Sequence, residues 1–168
     1  MADQQIYYGA SSSLTCTLAS LASDANLLAG RESTAVDNSS ALNLDFLLSG
    51  KITTGTSPTD AKSISVYVYA AANDTPDYPD VLDGTDSDET MTSAGIRDSS
   101  LILVSSMPTD DTSDRAYWFA PVSIAAAVGS GTCPQRWGVF VVHDTGVALN
   151  STGGNHVLSI TPVYGTVS

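Results

Sequence analysis

The sequence predicts an all-β protein: a jelly-roll β-sandwich of about eight strands, with long connecting loops and an extended N-terminal arm. Three observations predict it. Strong helix formers are scarce, with two glutamates and six Lys plus Arg in 168 residues, while Ser, Thr, Val, Tyr and Gly are common. Apolar residues alternate with period two in several segments. The connections over 19–41 and 71–99 are long and uneven, which Greek-key crossovers accommodate better than the even links of an up-and-down barrel. An immunoglobulin-like sandwich is the second arrangement of the same pattern.

Residues 1–13 read as an arm preceding a single domain over 14–168. The arm is small and polar except for Ile6, Tyr7 and Tyr8. Such a triplet belongs either to a frayed terminus or to a segment that orders on a neighbour. In 14–18, Leu14, Cys16 and Leu18 share a face. In 42–48, Leu42, Leu44, Phe46 and Leu48 face one way. A weak strand follows at 51–54. In 63–69, Ile64, Val66 and Val68 are expected in the core, leaving Tyr67 and Tyr69 outside or under a loop. The apolar run 101–104 suits a strand covered on both faces. A longer strand spans 116–127, where Pro121 marks a bulge or an edge. Trp137, Val139, Val141 and His143 share a side of 137–143. The segment 157–163 closes the chain, with Leu158 and Ile160 inward and Pro162 at an edge position.

Charge excludes some partners. Eighteen acids against six bases give a formal charge of −12 and a pI near 4.1. Arg31, Lys51, Lys62, Arg97, Arg115 and Arg136 are scattered singly, so no basic patch is available for phosphate backbones or an anionic membrane. The N-terminus lacks a basic region followed by an apolar one, so the chain reads as made in a cytoplasm. Cys16 and Cys133 then read as free thiols, and sequence alone leaves their pairing open.

No catalytic constellation is evident. The acidic run Asp74, Asp77, Asp80, Asp83, Asp86, Asp88 and Glu89 suggests a hard cation. Setting Gly84 as the EF-hand glycine places Val81 and Pro79 where acids are required. The run therefore reads as a solvated surface loop whose like charges repel. Cys133, His143 and Asp144 are the residue types of a thiol catalyst, but neighbouring strand residues point to opposite faces. No Gly-x-Ser-x-Gly elbow, P-loop or dinucleotide fingerprint occurs, and no cofactor is expected. The aromatic residues Tyr67, Tyr69, Tyr78, Tyr117, Trp118 and Trp137 could form a sugar-stacking platform. The plainer reading puts Trp118 and Trp137 in the core and the tyrosines at sheet edges.

The connection 19–41 holds Arg31 and Glu32 at its centre. A mixed-charge connection between strands commonly exists to touch something. Ile6, Tyr7, Tyr8, Arg31 and Glu32 are thus the candidate interface residues. The segments Ala29-Gly30-Arg31-Glu32-Ser33, Val36-Asp37-Asn38, Gly50-Lys51-Ile52-Thr53-Thr54-Gly55-Thr56 and 137–155 resemble a family of small proteins from tailed-bacteriophage structural gene clusters. The resemblance implies a capsid decoration, or cement, protein of jelly-roll type on the outer capsid surface. It would bridge major capsid protein subunits and act as a dimer or trimer. The alternative is a head-fibre or tail-associated module that binds host-surface glycans.

Overall fold

A computed structural model describes residues 4–129 and 131–167, with the side chains of Gln4 and Val167 outside the description. Met1–Asp3 of the expected arm, Ser130 of the Gly129–Gly131 turn and Ser168 lie outside the described residues. The chain is an all-β sandwich of two antiparallel sheets. The first sheet runs in the order β1 (Gln4–Tyr8), β11 (Val157–Val167), β5 (Asp45–Thr53) and β9 (Ala116–Ser123), with β2 (Ser12–Ser13) also on β11. The second runs β7 (Asp88–Thr90), β3 (Ala29–Glu32), β10 (Arg136–His143), β6 (Lys62–Ala70) and β8 (Ile102–Thr109), with β4 (Val36–Asp37) also on β10.

The pairings are nested in sequence. β1 pairs β11, β3 pairs β10, β5 pairs β9, and β6 pairs β8. The core lies between the sheets. Phe46, Leu48 and Ile52 of β5, Leu158 and Ile160 of β11, and Phe119 of β9 meet Ile64, Val66 and Val68 of β6 and Trp137, Val139 and Val141 of β10. These are the inward sets that period-two alternation assigns to β6, β10 and β11.

Several elements differ from the sequence expectation. Residues 14–18 form no strand, although Leu14 and Leu18 are buried. Leu42 and Leu44 are exposed, because the chain turns through a positive φ at Leu42 and the strand starts at Asp45. From there β5 runs unbroken through 51–53. Leu103 is 51% exposed rather than covered, because β8 is a sheet edge. The segment expected as one strand over 116–127 ends at Ser123, whose hydroxyl caps a short helix, α2 (Ile124–Ala127), by accepting from Ala126 N. A further helix, α1 (Ala94–Ser100), is capped the same way by Ser93.

The prolines are placed by their missing donors. Pro121 falls where the β5–β9 register shifts between Leu48 and Gly50, on an edge strand. Pro162 is not at an edge, since β11 lies between β1 and β5. Its carbonyl accepts from Gly9 N at 2.8 Å, so its donorless nitrogen faces the break between β1 and β2. A Cβ on Gly9 would come within 2.7 Å of the Pro162 ring, which fixes the residue opposite as glycine.

A candidate interaction surface

The long connection 71–101 folds over the outer face of the second sheet. Leu82, Met91 and Leu101 bury Tyr67 and Tyr69 of β6 and Phe140 and Val142 of β10 in a second core. This corrects the expectation of a loop extended into water. Its apolar residues supply the burial, and its acids are used as caps and anchors instead of repelling freely. Asp80 accepts from Thr92 N at 2.7 Å, and Asp83 from Thr85 N at 2.9 Å. Asp86 accepts from Thr17 N at 2.9 Å. Among the described residues, no group of three or more His, Cys, Asp and Glu is arranged to hold a metal ion.

Arg31 and Glu32 are the pins of this connection. They are neighbours on β3, so their side chains leave opposite faces. Arg31 Nε donates to Asp86 Oδ1 at 2.6 Å, its Nη2 to the Asp86 carbonyl at 2.7 Å, and its Nη1 to Asp88 at 3.1 Å. Burial pushes the Asp86 carboxyl up, but the bonds from Arg31 and Thr17 outweigh it and hold the group below the usual carboxylate range. Glu32 is 0% exposed and accepts from Gly84 N at 2.7 Å and Asp83 N at 3.1 Å. Burial raises its pKa. Both residues thus spend polar atoms inside the chain, holding the connection in place.

The candidate thiol chemistry is dispersed. Buried His143 ends β10 and bonds into the turn that follows instead of facing a thiol. Burial lowers its pKa, so the ring is neutral, donating from Nε2 to the Leu21 carbonyl at 3.1 Å with Nδ1 2.9 Å from Thr145 Oγ1. Asp144 accepts from Ser63 N at 2.7 Å and lies 3.7 Å from Lys62. Cys16 and Cys133 are both free, and burial pushes the Cys133 thiol up to about 12. The aromatic expectation divides. Trp137 is fully buried, but Trp118 is 72% exposed on edge strand β9, with Lys51 Nζ 5.7 Å from its ring centroid. Its register partner Lys51 places it on the outer face of the first sheet.

Ile6, Tyr7 and Tyr8 do reach the surface. They do so as edge strand β1 and not as a separate arm, because their backbone pairs with Gly165, Tyr164 and Val163. Ile6 and Tyr8 are 66% and 69% exposed, and Tyr7 stacks on Tyr164 with ring centroids 6.0 Å apart. Leu44 N donates to the carbonyl of Val163, the register partner of Tyr8. Ile6 and Tyr8 leave the outer face of the first sheet, whereas Tyr164, opposite Tyr7, leaves the other face beyond the end of the core; these residues and Leu44 are all exposed at this corner. Leu44 was missed in the sequence because it sits in an alternating run that reads as core, and Tyr164 because it falls just past the segment 157–163.

Among the described residues, this corner carries one charged side chain, Asp45. Asp45 and Lys51 are the charged residues of the first sheet's strands, and Asp45 is occupied by Ser123 Oγ at 2.6 Å and Ala125 N at 2.8 Å. The remaining bases all pair with acids elsewhere. Comparison with known protein families, characterised proteins and solved structures finds no match to this chain.

Proposed function

We propose that this chain is a structural virion protein that binds the outer surface of a bacteriophage capsid and cements neighbouring major capsid subunits, working as a homo-oligomer. The observation that carries the reading is the exposed strand edge at which Ile6 and Tyr8 leave one face of the first sheet and Tyr7 and Tyr164 the other, on a chain of charge −12. Large apolar residues gathered in the open at one strand edge point to a docking site. The phage-protein resemblance of 29–33, 50–56 and 137–155 supplies the partner. The nested strand order supports naming the sandwich a jelly roll: numbering its main strands one to eight, the pairs run one–eight, two–seven, three–six and four–five. A cement subunit needs no catalytic centre, since modest contacts repeated over a lattice sum to high avidity.

The test is to add purified protein to undecorated capsids and count copies by reconstruction. Saturable binding at hundreds of copies supports cement. A handful of copies, or no binding, removes it. The exposed Trp118 favours a second reading, a fibre- or tail-associated module stacking host glycans on that ring. Indole fluorescence unmoved across a panel of host glycans would eliminate this alternative.

A further inference from the structure

The open edge of β1 has a specific hydrogen-bonding phase. Gly9 donates to Pro162, so Gly9 and Pro162 form a hydrogen-bonded pair. In an antiparallel ladder these pairs alternate, so Tyr7 and Gln5 turn their N–H and C=O groups toward β11. Gln4, Ile6 and Tyr8 turn theirs outward, away from the sheet. The strand reads Gln-Gln-Ile-Tyr-Tyr, with no charge, proline or bulge, the devices that usually protect an edge. β1 is therefore both a free ladder and part of the apolar corner.

We propose that β1 pairs antiparallel with β1 of a second copy of this chain, about a two-fold axis at Ile6, joining the two first sheets into one. In this register Gln4 faces Tyr8 of the other copy, Ile6 faces Ile6, and Tyr8 faces Gln4. Those are the residues whose backbone groups point outward, so each facing pair is a hydrogen-bonded pair and no outward group of the strand is left over. A shift by one residue would set outward groups against inward ones. The Ile6 side chains meet directly across the axis, on the outer face that also carries Tyr8.

Charge selects a second copy over a basic or acidic partner. Among the described residues, the strand and its surroundings offer no free ion to attract one, and the bases of the chain are engaged elsewhere. A self-pair brings neutral against neutral. It is also closed: once two β1 edges meet, neither copy retains one, so association stops at a dimer. The pairing deepens the homo-oligomer part of the proposed function and is measured apart from capsid binding.

The experiment is sedimentation equilibrium of the full chain from micromolar to millimolar concentration, at rising salt. The wild type is expected to form a dimer that tightens with salt, since screening relieves repulsion between two acidic chains. Ile6→Pro removes one outward N–H without touching the bonds to β11, and proline is tolerated on an edge whose N–H faces solvent. It should weaken the dimer about tenfold or more, with circular dichroism and melting unchanged. Ile6→Lys, which retains the backbone donor, should weaken it through charge at the axis. A wild type that stays monomeric, or a dimer indifferent to both substitutions, overturns the pairing. A monomer that still decorates capsids removes the pairing alone, whereas a dimer that never binds them removes the capsid reading alone.

Discussion

Replacing Arg31 with alanine deletes three donors at once from the acidic connection. Two of them go to Asp86, and both the Arg31 and Asp86 side chains are 17% exposed. The third goes to Asp88, which stands in solvent and adds nothing measurable. Breaking a fully buried pair costs ~3–5 kcal/mol and an exposed one ~0–1 kcal/mol. A pair with a sixth of its surface in water belongs between, at about 2–3 kcal/mol for Arg31→Ala. Because the bond is specific, most of that cost should appear as coupling in a cycle of Arg31→Ala, Asp86→Ala and the double variant, about 1.5–2 kcal/mol by urea unfolding. Hydrogen exchange should locate the loss in the amides of 80–91 and spare β6 and β10. The coupling also has a pH sign. The folded pKa of Asp86 is depressed, so its contribution is complete above the ordinary carboxylate pKa of ~3.9 and is lost as pH falls through the lowered value. Glu32 runs oppositely: its raised pKa means that its ionisation costs stability as pH rises. Coupling below about 0.5 kcal/mol at neutral pH is ordinary additivity and would refute the role of Arg31 as a pin.

Further outcomes follow from particular packing. Trp137→Ala should cost ~3–5 kcal/mol in thermal unfolding, while Trp118→Ala stays within ~0.5 kcal/mol. Equal costs would mean Trp118 is packed. Gly138→Ala should lower stability by ~3 kcal/mol or more, because a Cβ there lies 2.1 Å from the Tyr69 hydroxyl oxygen, whose ring is locked in the second core. A near-neutral melt would show that Tyr69 can move. Cys133, with its thiol pushed up to about 12, should resist a disulfide reagent at pH ~8 in the folded chain and react on unfolding. Rapid native labelling would contradict the raised thiol pKa of this half-buried residue.

Much of the fold was legible in residue order. The alternation of Ile64, Val66 and Val68, and of Leu158 and Ile160, named core faces correctly because a side chain's face follows from parity once the strand exists. The all-β class followed from composition. What escaped depended on neighbours distant in sequence. Trp118 reads as core until β9 proves to be an edge, and Leu103 likewise on β8. The acidic connection reads as repelling charge because no local pattern shows that Arg31 and the backbone N–H groups facing Glu32 will meet it. The two short helices depend on single serine caps, Ser93 and Ser123, among many serines that cap nothing. For the candidate surface, Ile6 and Tyr8 stood out as apolar residues in a polar tail, while Leu44 was hidden in a run that resembled core and Tyr164 lay past the end of the last segment.

The pinned connection gives the molecule an electrical sidedness. Seven acids fall between positions 74 and 89, on the connection that folds over the second sheet. The acidic connection is therefore a negative pole of the chain, and the strands of the first sheet are its nearly neutral part. Near a negatively charged body the chain would turn before contact, presenting the neutral part and holding the acidic one away. Copies seated side by side would all point their negative poles the same way, and their mutual repulsion would set an even spacing that contracts as salt is added.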